Sequence, residues 1–199
     1  ANFDITASNL GYGTAFFNSN IQIGFERGGT STTRTYINYE VVEWSYESGV
    51  NVVSGYTTVA VDLSGGVTAA HGATVTTSNT WLFARCAHAQ NGLEAVSIKV
   101  VFDATNVTFS RHATTAAYTS KIAWQLVTFP EDICYQYTDA ALGADSTEDV
   151  TITAVTLANS MVWGTNTTAG TGTALGRNAW TMRLSSTTNI RATRSYTGQ

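Results

Sequence analysis

The chain has 199 residues and a formal net charge of −4, and only 12% of its residues are charged. This composition provides no basic surface that could hold a phosphate backbone, which argues against nucleic acid as a partner. Hydrophobic residues make up 43% of the chain, but no uninterrupted apolar stretch reaches the roughly 20 residues that a membrane-spanning helix needs. We therefore expect neither nucleic-acid binding nor a membrane span.

Short strands are predicted along the whole chain, with almost no helix. Thr, Val, Ile and aromatic residues are frequent, while Gly and Asn punctuate the sequence and Pro130 is the only proline. That composition favours strands joined by tight turns. Alternation of apolar and polar residues predicts strands at 37–44, 57–64, 97–102, 120–129 and 150–158. Short strands at this spacing are typical of a β-sandwich or a small barrel.

An internal repeat organises the chain. Stretches 14–31, 98–115 and 181–198 align without a gap around one arginine each, and a fixed period of this kind indicates repeated modules. The arginines are Arg27, Arg111 and Arg194, so their numbers differ by 84 (111 − 27) and then by 83 (194 − 111). After the first two arginines, a polar segment leads to a similar apolar segment, YEVVEW at 39–44 and WQLVTF at 124–129, which predicts a hairpin with a return strand.

The repeat predicts an all-β fold of two tandem β-sandwich or jelly-roll-like modules, with a period of about 84 residues. Residues 1–46 would hold the C-terminal hairpin of a partial module, and residues 47–130 would form a complete module. Residues 131–199 would form a second module that lacks its last strand. The strand position left open would be filled by a strand from elsewhere in the chain or from another subunit. The alternative is a polar edge that tolerates water.

The two return strands are apolar on both faces, because apolar side chains occupy odd and even positions in each. A strand of that kind is covered on one side by its own core and on the other by a second sheet, module or subunit. We therefore expect interfaces at Tyr39, Trp44, Trp124 and Phe129.

The repeated arginines have two interpretations. Alternation along the strand places Arg27, Arg111 and Arg194 on the apolar side of the sheet, at its rim. There each would cap loop carbonyls or pair with an acid. Alternatively, three equivalent cations would bind equivalent anionic ligands.

Two cysteines and two Asn-x-Thr triplets are candidates for covalent modification. A disulfide between Cys86 and Cys134 would tie the joint between modules and would suit an oxidising environment. Alternatively, each cysteine is a small buried residue. Asn106 and Asn166 match the N-glycosylation pattern, which also arises by chance in a Thr-rich chain.

The sequence contains no recognisable catalytic or cofactor motif. Its three histidines do not have metal-ligand spacing, no G-x-S-x-G elbow occurs, and the glycine-rich stretch 169–176 lacks the phosphate-loop lysine. We predict no catalytic residue, no metal site and no cofactor, and we expect that the protein is not an enzyme.

The F-x-R strand end, the polar tip and the WQLVTF return strand resemble a repeated β-module of structural proteins from tailed bacteriophages and related viral particles. The resemblance covers the hairpins and extends over residues 47–129. It implies a non-enzymatic virion role as a decoration, tail, neck or fibre component. The third copy departs from the pattern, because Ala192 replaces the phenylalanine and the return strand is missing.

We therefore expect a virion structural protein that forms a homo-oligomer or polymer and contacts other virion or surface proteins, located in the virion or on an extracellular surface. Two alternatives stay open. One is an extracellular filament or surface-layer subunit built by strand complementation. The other is a secreted carbohydrate-binding module, which would bind glycans and would need exposed aromatic residues at the polar tips.

Overall fold

A computed structural model describes residues 13–19, 22–27, 41–59, 66–88, 98–111, 119–130, 136–137, 146–165 and 180–194. These ranges contain β-strands, two single turns of 3-10 helix at Tyr46–Ser48 and Leu157–Asn159, and no α-helix. The predicted all-β class is confirmed. The strands are β1 (Gly13–Ser19), β2 (Gln22–Arg27), β3 (Asn51–Val59), β4 (Val67–Ala70), β5 (Thr80–His88), β6 (Lys99–Phe102), β7 (Asn106–Ser110), β8 (Ser120–Thr128), β9 (Thr147–Thr151), β10 (Trp180–Ser186) and β11 (Asn189–Arg194).

The described strands pair antiparallel throughout. Strands β1 and β2 form the N-terminal hairpin, and the order β3–β8–β5 forms the central sheet. The second sheet has the order β4–β7–β6, and the C-terminal sheet has the order β9–β11–β10. These last two sheets share a topology: a hairpin whose second strand also pairs with a strand from earlier in the chain.

The central and second sheets pack against each other through one hydrophobic cluster. Fully burying an aliphatic or aromatic side chain contributes about 1.5–3 kcal/mol, so this cluster is a large part of what stabilises the pair of sheets. The buried members are Val59, Val75, Ala84, Cys86, Ile98, Val100, Val107, Phe109, Ile122, Trp124 and Leu126.

Strand β8 is the centre of this arrangement. Its even-numbered residues Ile122, Trp124 and Leu126 enter the cluster, and its odd-numbered residues Ala123 and Val127 are buried on the opposite face. Strand β1 contacts β3, β5 and β8. The prediction that this return strand is covered on both faces is confirmed, but the cover comes from the same chain and requires no second subunit.

Two predicted strands differ from the structure. The described part of the predicted strand 37–44, Val41 to Trp44, belongs to no strand and is exposed. The predicted strand 150–158 ends at Thr151 and continues as a loop with a 3-10 turn, because the amides of Ile152 and Val155 donate to carbonyls of a hairpin turn instead of continuing a ladder.

The three hairpins that carry the repeated arginines have connections of the same length. Two residues separate the pair that closes each hairpin, and in each case the arginine follows the second member of that pair by five positions (27 − 22, 111 − 106 and 194 − 189). The closing pairs are Ser19 with Gln22, Asp103 with Asn106, and Ser186 with Asn189. The division of the chain into a partial module at 1–46 and modules at 47–130 and 131–199 stays a prediction.

Trp124 needs a glycine opposite it in the neighbouring strand. It pairs with Gly55 across the β3–β8 ladder, and its indole Nε1 donates to the Thr57 hydroxyl at 3.4 Å. A Cβ atom on residue 55 would overlap the six-membered part of the indole ring. Glycine is therefore required at this position by packing.

We predict that Gly55→Ala destabilises the protein by about 1–3 kcal/mol, because the added methyl group displaces a buried ring. Urea unfolding of Gly55→Ala, Trp124→Leu and the double variant measures this effect. In the double variant the overlap is removed, so its loss of stability should be smaller than the sum of the two single losses. Additive losses would contradict the direct clash.

Candidate functional site

Aromatic side chains form a continuous row along one edge of the central sheet. Consecutive ring centroids lie 5.2 to 6.4 Å apart, within the range of favourable aromatic pairs. The two tryptophans at its ends are exposed, Trp44 at 38% and Trp163 at 41%. The row is therefore an apolar strip that reaches solvent at both ends. Its members, in order, are Trp44, Phe129, Trp81, Phe83 and Trp163.

The end of the row near Trp44 is fixed by a hydrogen-bonded clamp. The buried Asn79 side chain donates from Nδ2 to the Phe129 carbonyl at 2.7 Å, and the Phe129 amide donates to the Asn79 carbonyl at 2.9 Å. Beside it, the hydroxyls of Thr80 and Thr128 hydrogen-bond to each other at 2.8 Å. The clamp joins the turn before β5 to the end of β8 and holds the Phe129 backbone in place.

The turn that supplies Asn79 has a close counterpart later in the chain. In the first turn, the Thr76 carbonyl accepts from the Asn79 amide at 3.2 Å and from the Thr80 hydroxyl at 2.7 Å. In the second, the Thr156 carbonyl accepts from the Asn159 amide at 2.9 Å and from the Ser160 hydroxyl at 2.8 Å. The two turns therefore share their hydrogen-bond pattern.

The loops that precede these turns are also alike. Each donates two backbone amides to the two carbonyls at the tip of the adjacent arginine-bearing hairpin, which fixes the loop against its sheet. The bonds run from His71 to Thr105 (3.1 Å), Val75 to Ala104 (3.0 Å), Ile152 to Thr188 (2.8 Å) and Val155 to Thr187 (2.8 Å).

This correspondence was missed in the alignment of arginine-centred stretches. Its sequence signal is VTTSNTWLF at 75–83 against VTLANSMVW at 155–163, which share the pattern V-T-x-x-N-(T/S). The offset in residue number is 80 (155 − 75) rather than 83 or 84, so a search at a fixed period does not bring the two segments together.

The segments that follow the two turns have different surroundings. After the first turn, β5 pairs along its whole length with β8. After the second, residues 160–165 belong to no strand, and Met161 is 64% exposed. The ring centroids of Trp163 and Phe83 lie 5.7 Å apart. The Val100 amide donates to the Thr165 hydroxyl at 3.4 Å. The segment therefore contacts β5 and β6, and Met161 and Trp163 leave a largely exposed apolar side.

A second uncovered apolar segment lies at the other end of the row. Val41 and Val42 are exposed, with Val42 at 64%, while the Trp44 ring packs edge-on against Phe129 at 6.3 Å. Of the predicted interface residues, Trp44 and the half-buried Phe129 are thus accessible at the surface. Trp124 is a core residue, 5% exposed, in the cluster between the central and second sheets, and its part in an interface with another molecule stays a prediction. Tyr39 lies outside the described residues.

Arg111 is a buried member of a polar cluster at the edge of the core. Its guanidinium donates from an Nη atom to the Ser120 hydroxyl, and its charge lies near the Cys86 thiol. Arg194 is half-buried at the end of β11, and the side chain of Arg27 lies outside the described residues. The burial of Arg111 favours a structural role over ligand binding, because a cation buried in this way is not accessible to an anion from solvent.

The Cys86 thiol is held in its protonated form. Burial raises its pKa from 9.0 to about 11, and this effect outweighs the nearby Arg111 charge and the hydrogen bonds with Ser120 and Arg111, all of which lower the pKa. A thiol of this kind is a poor nucleophile at neutral pH. Cys86 forms no disulfide bond in the structure, and Cys134 lies outside the described residues, so their pairing stays a prediction.

Asn106 closes a hairpin turn, where its Nδ2 donates to Asp103 Oδ1 at 3.3 Å and to the Thr105 hydroxyl at 2.9 Å. Glycosylation there would compete with these bonds, and it stays a prediction. Asn166 lies outside the described residues.

Within the described ranges, no group of three potential metal ligands occurs, and no helix is long and apolar enough to cross a membrane.

An ion pair links two strands of the C-terminal sheet. Arg191 on β11 donates to both carboxylate oxygens of Asp149 on β9, at 2.9 and 2.6 Å. The hydrogen bonds from Arg191 lower the pKa of Asp149. Exposed ion pairs of this kind contribute little to stability. We therefore interpret this pair as a contact that aligns β9 with β11 and not as part of a binding site.

Comparisons with protein-family models, with curated protein sequences and with solved structures find no significant match to this chain.

We predict that Cys86 weakens the folded state in alkaline solution. Its folded pKa is higher than its unfolded value, so the thiolate forms first in the unfolded chain as the pH rises. The contribution of the protonated Cys86 thiol to the free energy of unfolding is fully present below pH 9.0 and is lost between pH 9.0 and about 11. At 1.36 kcal/mol per pKa unit, the loss is about 2–3 kcal/mol.

Urea unfolding of the wild type and of Cys86→Ala at several pH values between 7 and 11 isolates this contribution, because every other ionisable group is present in both proteins. The difference in unfolding free energy between them should be constant below about pH 9 and should shift in favour of the alanine variant above it. A difference independent of pH would contradict this prediction.

Proposed function

We propose that this protein is a non-enzymatic structural component of a larger assembly, with a virion decoration, tail or fibre protein as its leading form. The observation that carries the proposal is the pair of uncovered apolar segments at the two ends of the aromatic row, around Val42 and around Met161. Large exposed apolar patches on a protein surface mark sites of association. Two such segments on one chain suit a subunit with two neighbours.

The proposal includes a division of the chain into two units of one module type. It is supported by the equal hairpin connections, by the shared topology of the second and C-terminal sheets, and by the two turns built around Asn79 and Asn159. Tandem modules that contact their neighbours are typical of proteins that build extended structures.

The virion form of the proposal rests on the resemblance of the F-x-R hairpin and its return strand to modules of tailed-phage structural proteins. The composition agrees with it, because only 12% of residues are charged. Few long charged side chains would lose rotamer freedom where copies pack closely, and charged residues are depleted at the centre of interfaces. In this form the protein is located in the virion or on an extracellular surface.

A second candidate function is glycan binding. The observation in its favour is the aromatic row itself, with Trp44 and Trp163 accessible at its ends. Aromatic rings that are partly exposed to solvent are suited to contacts with partly apolar ligands such as sugar rings. The row lies on the sheet rather than at the polar hairpin tips, where exposed aromatic residues were expected for such a module.

The solution mass of the purified chain, measured by light scattering over a concentration series, tests the proposal together with electron microscopy of the same sample. The proposal predicts a closed oligomer or a polymer whose size increases with concentration. A monomer at every concentration would contradict self-assembly. Binding of that monomer to a glycan array, lost in Trp163→Ala and kept in Val52→Ala, would favour the second candidate.

A further inference from the structure

We propose that the two uncovered segments join copies of this protein head to tail, with Val41–Trp44 of one copy lying as a strand beside Asn159–Val162 of a second copy. The inference rests on the proposed function and names its partner, a second copy of this chain. Strand addition of this kind satisfies backbone groups on both sides and takes its specificity from the side chains.

The pairing of β5 with β8 provides the template. In that ladder Thr80 lies opposite Thr128, Trp81 opposite Val127 and Leu82 opposite Leu126, and the Asn79 clamp holds Phe129 at the end. The stretch 160–162 follows the second turn as 80–82 follows the first, because the two turns align at the same offset in residue number (155 − 75 = 80). The segment beginning at Ser160 is therefore the counterpart of β5.

The segment 39–44 is the counterpart of the end of β8. YEVVEW aligns with WQLVTF when the residue numbers are offset by 85 (124 − 39), so Val41, Val42, Glu43 and Trp44 correspond to Leu126, Val127, Thr128 and Phe129. Applying the β5–β8 register to these counterparts gives defined pairs. They are Val41 with Val162, Val42 with Met161, and Glu43 with Ser160.

The two sides are complementary in burial as well as in sequence. Val42 and Met161 are each 64% exposed in the single chain and would cover each other in the joined pair. Asn159 is also exposed, whereas its counterpart Asn79 is buried by the clamp. In the joined pair the Asn159 side chain would donate to the Trp44 carbonyl, as Asn79 donates to Phe129.

The geometry favours a second copy over the same chain as the partner. Within one chain, Trp44 contacts Phe129 at one end of the aromatic row, and Trp163 contacts Phe83 at the other end. The rings of Phe129, Trp81 and Phe83 lie between them. The two segments therefore lie at opposite ends of the row, and joining copies would continue the row from each copy into the next.

A contact between two different surfaces of the same protein is heterologous. Such contacts generate a ring when the rotation closes and an open filament when it does not. Each copy then has one donor side, at Val41–Trp44, and one acceptor side, at Asn159–Val162. Loss of either side on its own must end chain growth.

Sedimentation velocity of single-site variants tests this inference. Val42→Asp removes the donor side and Met161→Asp removes the acceptor side, and both positions are exposed, so folding is kept; circular dichroism and thermal unfolding verify this. Val52→Asp is the matched control, because Val52 is an exposed valine, at 41%, that belongs to neither side. We expect monomers for the first two variants and wild-type assembly for the control.

A mixture of Val42→Asp and Met161→Asp provides the sharpest readout. The intact donor of one variant binds the intact acceptor of the other, so the mixture should form dimers and nothing larger.

Asn159→Ala removes one hydrogen bond, and it should weaken assembly about tenfold without changing the monomer fold. A peptide with the sequence YEVVEWSY should shorten wild-type assemblies by occupying the acceptor side.

The outcomes separate this inference from the proposed function. If the wild type assembles and both aspartate variants still assemble like it, the head-to-tail contact is wrong while the assembly function stands. If the mixture of variants forms assemblies as large as the wild type, the two-sided contact is also wrong. A wild type that stays monomeric and does not bind the peptide would overturn both the inference and the assembly function.

Discussion

The pairing of β8 with strands on both of its edges and its burial on both faces is the constraint on which the rest of the structure depends. β8 lies between β3 and β5, and its even-numbered residues enter the cluster that joins the central sheet to the second sheet. Its odd-numbered residues Ala123 and Val127 are buried on the opposite face, and β1 also contacts this strand. Both edges of β8 are paired and most of its side chains are buried. The turn at Asn79 and the glycine at position 55 are explained by their contacts with this strand and the residue that follows it.

The same constraint explains the two uncovered segments. Residues 160–165 follow a turn with the same hydrogen bonds and sequence pattern as the turn that precedes β5. In the described part of the chain, however, they pair with no strand equivalent to β8 and form no strand themselves. Residues 41–44 have a β8-type sequence and likewise pair with no strand. A strand needs a ladder partner to satisfy its backbone groups, so a β-type sequence without such a partner stays irregular and exposed. The proposed contact would give each segment the kind of neighbour that β5 and β8 provide for each other.

The sequence predicted the all-β class and the position of β8, because alternation and β-branched content report directly on strands and on their burial. It also predicted that Arg111 faces the core rim, since Val107 and Phe109 share its side of the strand. It failed at 150–158, where alternation continues but two backbone amides of the segment donate to a hairpin tip much later in the chain. The aromatic row could not be predicted either, because its tryptophans are brought together only by tertiary packing. A local pattern gives the direction of a side chain but not its distant neighbours.

Disulfide cross-linking tests the head-to-tail contact most directly, because it reports register as well as association. In a background with Cys86 and Cys134 replaced by alanine, Glu43→Cys and Ser160→Cys on one chain should form a ladder of covalent oligomers under mild oxidation, since the equivalent Thr128 and Thr80 hydroxyls are in contact at 2.8 Å. Moving the first cysteine to Val41, two positions out of register, should abolish the ladder. Equal cross-linking at both positions, or none at either, would contradict the proposed pairing.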